Sequence, residues 1–472
     1  MASLLGATLK AFRLVWICLA ITLPSAYGFE KRSYEYKPED IITRDVCIIG
    51  GGSTGTYSAI RLRDMGKSVV VVEKKDVLGG HTNTYVDPAT HIPIDYGVID
   101  FHNLSIVTDY FTRLNVPWTT AMFPSTQELY VNFNTGKVVD GFAPAGQAAF
   151  AQALDVWISH LEKYPYLSNG FFLPDPVPAD LLLPFHDFVK KYSIDALVYS
   201  MFEYRQINIL VQPTLYVMMN FNLDLIQNIL NGFLTTASHD NSDIYRNALA
   251  ILEKDVLLSS HVIWTDRDSS SEYVKVGVET PSGRKLIQAK KLVITIPPKL
   301  SNFKGFDLSQ NESSLFGQFS NVAYYTTIVK HDGIPENLSV VNIGPNTPWN
   351  LPTLPAILSI YPSGDPGLHE VKFSSPYELS DDAVKAAIVA EFNQLHTGGA
   401  VASATTPEFV AFDSHTPFEF SVPADAIKDG FYKKLYALQG QQRTWYTGAA
   451  WDVHDSSLLW QFTETLLPAI AA

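Results

Sequence analysis

The run DVCIIGGGSTGTYSAIRLRDMGKSVVVVE, residues 45–73, restricts the fold more than any other part of the chain. A short β-type stretch ends in glycines at Gly50. From Ser53 to Gly66 the pattern is helical, with Ser58, Leu62 and Met65 on one face at i, i+4 and i+7. Gly66 suits the end of that helix, where a left-handed residue is needed. The β-branched run 68–72 then reads as a parallel strand buried on both faces, and Glu73 closes it. Gly50, Gly52 and Gly55 form G-x-G-x-x-G. The first permits a tight turn, the second lets the backbone approach a pyrophosphate, and the third lets helix and strand pack closely. Ser53 falls on the phosphate side. Glu73 is placed to accept hydrogen bonds from ribose hydroxyls, and its charge opposes a 2′-phosphate, which disfavours NADP. Gly51–Gly55 also satisfies G-x-S-x-G, the elbow of a serine hydrolase. That reading fails on position, because such an elbow follows earlier strands and a loop that donates an oxyanion-hole amide.

The N-terminus has the pattern of a secretory signal peptide over residues 1–28. Lys10 and Arg13 precede the apolar run 14–23, followed by Pro24 and the small-residue stretch Ser25-Ala26-Tyr27-Gly28. The apolar run is short of the ~20 residues a spanning helix needs, so cleavage, no stable membrane span and a secreted or lumenal destination are expected. Asn103, Asn311 and Asn337 lie in N-x-[ST] sequons. Cleavage removes Cys18 and leaves Cys47 alone, so no internal disulfide is expected. The net charge of −14 argues against nucleic acid as a partner. No two of the 12 histidines are closer than ten residues and no C-x-x-C occurs, so no metal site is expected. A second G-x-G-x-x-G for NADPH is also missing.

Beyond Glu73 comes Gly79-Gly80, in EKKDVLGGHTNTY. This order of glycine motif, acid and Gly-Gly pair resembles the flavin-binding motif of the amine-oxidase superfamily. IDYG (94–97) resembles the acid-x-Gly loop that follows it there. HVIWTD (261–266) resembles the segment in which a valine, here Val262, meets the adenine through its backbone. RTWYTGAA (443–450), with Gly448 and Ala449, resembles the late turn that meets FAD again. SSLLWQFTETLL (456–467) resembles the last helix, whose N-terminus, near Leu459, faces the flavin ring and favours negative charge there. The run 45–85 is similar to the fungal β-cyclopiazonate dehydrogenase family. The resemblance implies FAD as cofactor and an α/β fold, in which a Rossmann-like FAD-binding domain (40–120, 236–300 and 431–472) interleaves with an α+β substrate domain (121–235 and 301–430). Residues 151–235 read as largely helical. Their Phe, Tyr and Leu fit either core packing or an apolar cavity wall.

The chain also departs from amine oxidases. Val77 and His81 stand where those enzymes carry arginines, Ala450 where many have a glutamate, and Leu458 where the last helix has an aromatic. A register through YYTTIVK (324–330) puts Tyr325 at the position of their flavin-side lysine. Simple amine oxidation is therefore not expected. His81 is open to two readings: a neutral neighbour of the pyrophosphate, or the attachment point of a covalent flavin. Tyr325 and His454 are the candidate catalytic residues. The resemblance implies an oxidase or dehydrogenase that passes hydride from an apolar small-molecule intermediate to flavin N5, with O2 as the final acceptor. The same cofactor domain serves flavin-dependent isomerases and the non-catalytic Rab GDP-dissociation inhibitors, which are the alternatives.

Overall fold

The structure is a computed structural model that describes residues 36–123, 125–205 and 209–472; the leader-like segment 1–28 lies outside them. Two sheets organise the chain. In the first, strand Ile41–Ile49 is the centre, with Val69–Val72 parallel on one side and Gly283–Ile294 parallel on the other. Val256–Leu257 extends one edge in parallel, and Thr444–Tyr446 pairs in parallel with the end of Gly283–Ile294. All four residues of Val69–Val72 are buried, because helices cover both faces of this layer. The helix predicted after the glycine turn runs Ser53–Asp64, and Gly66 has φ +77° just beyond it. Ser58 and Leu62 face the core as expected, but Met65 is exposed because the helix has ended. The segment 266–273 is the loop of an antiparallel pair, His261–Asp266 with Val274–Thr280.

The second sheet is assembled from residues 127–138 and 320–421. Its central strands are Ser320–Lys330, Leu368–Ser375 and Ala356–Pro362, joined antiparallel. Helix Asp381–Gly398 covers one face, where Val384, Ile388, Phe392 and Leu395 meet Tyr325, Ile360, Val371 and Phe373. The other face looks into the interior of the molecule. Helices between Gln147 and Asn231 pack beside this sheet as a largely apolar body. Among the described residues of that helical segment only Glu203, Tyr204 and Leu225 reach the large cavity described below, so most of its aromatic residues are core packing.

A buried ionic junction links the two halves. The side chain of Arg267 is fully buried, with Nη1 2.7 Å from Glu312 Oε1 and Nε 2.8 Å from Asp307 Oδ1. Tyr446, on the late strand of the first sheet, donates its hydroxyl to Glu312. Ser309 and Glu312 form a capping box, so the helix start that carries Glu312 is itself fixed. Removing the guanidinium leaves a buried carboxylate without its counter-charge. Arg267→Met is expected to lower stability by about 3–5 kcal/mol, measured by chemical denaturation. Glu312→Gln in the same chain should recover part of that loss.

Candidate active site

The glycine turn builds one end of a cavity of about 1180 Å3. A Cβ on Gly55 would stand 1.9 Å from the Gly50 carbonyl oxygen, so the helix packs on the strand as closely as backbone permits. Gly52, the residue before the helix, has no side-chain cap, and the first helical amides face the cavity. Gly79 and Gly80 have φ of +128° and +62°, conformations that favour glycine. Their turn is tied down by the Gly79 amide, which donates to the Gly51 carbonyl at 2.9 Å. Glu73 accepts the Gly51 and Lys75 amides at 2.6 and 2.7 Å and lines the same cavity. The Ser260 amide donates to the Glu73 carbonyl at 2.8 Å, which holds Ser260, His261 and Val262 beside the acid.

Of the residues singled out in the sequence, Gly50, Gly52, Ser53, Glu73, Gly79, Gly80, His81, Val262, Gly448, Ala449, His454 and Leu459 all line this one cavity. Gly55 lies behind it, at the helix–strand contact. Ser53 Oγ accepts a hydrogen bond from Trp460 Nε1 at 3.0 Å, which joins the cradle to the last helix. In IDYG, a Cβ on Gly97 would meet the His81 carbonyl at 2.0 Å, so this loop fixes the backbone of His81. The last helix, Ser456–Ala471, does bring its N-terminus to the cavity. The Asp455 carboxylate already accepts the Ser457 and Leu458 amides, which reduces the helix's pull on a further negative charge.

Two positions need correction. Tyr325 is buried on the far face of its strand, where its hydroxyl accepts the Leu379 amide and donates to the Leu379 carbonyl, both at 2.8 Å. It does not reach the cavity; Tyr324 does. Two adjacent tyrosines in a period-2 strand differ by one residue of register, which moves the side chain across the sheet. The second position is Leu458, which packs into the core while Leu459 takes the cavity side.

Several cavity residues escaped the sequence reading. His415 stacks on His81 with ring centres 4.4 Å apart, and His454 lies 6.4 Å from His81 in a nearly parallel plane. Burial lowers the His81 pKa to about 4, against the pull of Asp413, and burial likewise depresses that of His415. Both rings are neutral at physiological pH. His454 Nε2 accepts the Glu419 amide at 2.9 Å, and its ring packs 4.5 Å from Phe418. On the sheet, Lys372 pairs in register with Thr326 and Ser359, which sets Tyr324 and Tyr361 at its sides. Its Nζ is 3.8 Å from Glu370 Oε1 and 5.2 Å from the centre of the Tyr361 ring. Burial works against the ammonium charge, but the carboxylates of Glu370 and Asp100 favour it, and the lysine stays protonated. Among the described residues no group of three His, Cys, Asp or Glu side chains is arranged to hold a metal ion.

With this geometry in view, relatives are informative. Residues 48–114 match the NAD(P)-binding Rossmann-like domain family. The chain is 42% identical over 450 residues to the FAD-dependent oxidoreductase oblC of Cochliobolus heterostrophus, covering 93% of each protein. It is 36% identical over 435 residues to the beta-cyclopiazonate dehydrogenase of Aspergillus flavus, covering 92% of this chain and 94% of that one. The chain belongs to the FAD-dependent oxidoreductases of the amine-oxidase type. The fold is also that of the fatty acid isomerase from P. acnes, at TM-score 0.71 and 16% identity over 90% of this chain and 98% of that one. Putrescine oxidase shares it at TM-score 0.63 and 14% identity, over 91% and 99%.

The residues present fit FAD. The glycine cradle offers backbone amides to a pyrophosphate, and Glu73 lies where ribose hydroxyls need an acceptor. The cavity, at about 1180 Å3, exceeds the ~300–1,000 Å3 of an ordinary ligand pocket and is large enough for a dinucleotide. A Cβ on Gly52 would meet only the Gly80 Cα, at 3.6 Å, yet would stand in the cradle. Gly52→Ala is therefore expected to fold with unchanged far-UV circular dichroism and to lose its flavin absorbance. Gly55→Ala should instead yield little folded protein. Tyr325→Phe should keep full flavin content while losing about 1–3 kcal/mol of stability, seen as a lower denaturation midpoint; loss of flavin there would place Tyr325 back in the site.

Proposed function

We propose that this FAD-dependent oxidoreductase oxidises a largely apolar specialised-metabolite intermediate, polycyclic and of terpenoid or alkaloid type. The observation that carries the reading is the continuity of the cavity. One space runs from the cradle at Gly52 and Glu73 to aromatic walls formed by Phe123, Phe233, Phe418, Phe420 and Trp451. Bound FAD supplies the two-electron acceptor for a hydride leaving a substrate C–H bond, and O2 takes the electrons onward. Ring closure accompanies the oxidation when a nucleophilic atom of the substrate attacks the carbon that lost the hydride. The aromatic walls exclude water and orient the apolar body of the substrate, while Lys372, Tyr324 and Tyr361 meet its polar groups. The beta-cyclopiazonate dehydrogenase relative supports a dehydrogenation of this kind. The leader-like N-terminus and the exposure of Asn103, Asn311 and Asn337 support passage through the secretory pathway.

The purified protein should show flavin absorption bands. Acid precipitation separates the two readings of His81: release into the supernatant means noncovalent FAD, and retention that His81→Ala abolishes means a covalent link. A panel of terpenoid and alkaloid intermediates should then contain a compound that bleaches the flavin without oxygen. Adding O2 should restore the colour with one hydrogen peroxide per turnover. Substrate conversion without oxygen consumption would identify an isomerase instead, and a colourless protein that takes up no FAD would sink the enzyme reading.

A further inference from the structure

A substrate that gives up a hydride and ends as a neutral alkene, imine or new ring must also lose a proton. Inside a cavity walled by aromatic side chains that proton needs an acceptor with a free lone pair and a suitable affinity. Most of the titratable groups on the cavity wall are already committed. Glu73 holds two backbone amides at the nucleotide end, and Asp455 holds two amides of the last helix. Glu370 faces the ammonium of Lys372, and Glu378 is paired at 2.7 Å with Lys299. His454 has given its Nε2 lone pair to the Glu419 amide. His81 and His415 bind protons too weakly, for the reasons of burial given above. Tyr324 and Tyr361 keep their protons, since burial raises both pKa values despite the neighbouring Lys372.

The far wall is different. Glu203, near the end of helix Asp195–Arg205, and Glu128, on strand Gln127–Asn132, both line the cavity beside Tyr204 and Tyr361. Tyr130 donates its hydroxyl to Glu128. Among the described side chains Glu203 has no cation against it: the groups that face it are Glu128, Tyr199 on its own helix, Tyr204 and Tyr361. Lys372, which also lines the cavity, is engaged by Glu370. Burial first, and then the charge of Glu128, push the pKa of Glu203 up to about 7 against the pull of the Tyr199 hydroxyl, and there a carboxylate both accepts and releases protons at physiological pH.

We infer that Glu203 is a further catalytic residue, the base that takes the proton leaving the substrate as its C–H bond is oxidised. The inference rests on the oxidation proposed above. The C–H bond breaks with both electrons going to FAD, the acceptor this family uses. An adjacent N–H, O–H or α-carbonyl C–H bond breaks at the same site, and its electron pair forms the new π bond or ring bond. The proton passes to a Glu203 oxygen and from there to water. The substrate class is narrowed accordingly: an apolar body that carries an acidic X–H group close to the oxidised carbon.

Two measurements on the flavin-loaded enzyme test this. In an infrared pH titration, a protonated-carboxyl band of Glu203 should disappear with a midpoint near pH 7, on top of those of Asp95 and Glu391, which burial pushes up to about 7 and about 8. That band should be absent in Glu203→Gln and should titrate at lower pH in Glu128→Gln, because a like charge has been removed. With the panel compound that bleaches the flavin, anaerobic reduction should slow by about 100-fold or more in Glu203→Gln. The wild-type rise in rate through neutral pH should vanish in that variant and return in part in Glu203→Asp. Carboxyl absorption titrating near pH 7 that is as intense in Glu203→Gln as in the wild type would overturn the assignment, as would wild-type rate and pH profile in that variant. If no panel compound reduces the flavin, the oxidation reading fails while the titration still decides whether Glu203 is poised to accept a proton.

Discussion

Everything in this molecule depends on the contact between Gly50 and Gly55. The helix that follows the glycine turn approaches the central strand so closely that one methyl group would collide with a carbonyl oxygen at 1.9 Å. That approach aims the uncapped helix start into the cavity and leaves Gly52 as a bare wall beside Gly80. It also sets the helix where the last helix can lie against it, with Tyr57 and Trp460 stacked at 5.4 Å and Trp460 bonded to Ser53. The C-terminal segment thus reaches the cofactor end of the cavity because the N-terminal turn is tight. Loss of that contact would displace both walls of the cradle together.

The second constraint is electrostatic. The substrate-side sheet is apolar on the face covered by helix Asp381–Gly398 and polar on the face toward the cavity. A sheet can do this because successive side chains point to opposite sides. The cavity face holds its charges in a graded way. Lys372 is balanced by Glu370, the histidines near Gly80 are held neutral by burial, and Glu203 stands against another carboxylate. The same cavity therefore presents backbone amides to phosphate, the uncharged rings of His81 and His415, and the proton-binding group Glu203.

Much of the cofactor half was legible from local sequence. Glycine spacing, a β-branched run and an acid are properties of a few consecutive residues, and backbone sterics leave them little choice. The Gly-Gly pair, Val262 and the late Gly448 turn were legible only through family resemblance, because they meet the cradle from distant parts of the chain. The substrate side was poorly legible. YYTT could face either way, and only the register with Phe373 and Lys372 put Tyr324 on the cavity and Tyr325 under the helix. Leu459 lines the cavity as the resemblance implied, while Leu458 turns into the core.

What the sequence determined by itself was the dinucleotide turn and the acid that follows it, since both are built from neighbouring backbone atoms whose geometry is set by residue type. Tertiary structure alone decided which side chains share the cavity. His81, His415 and His454 come from three separate segments, as do Glu128, Glu203 and Tyr361. Their protonation depends on burial and on neighbours hundreds of residues away in the chain, and those quantities exist only once the two sheets have closed around one space.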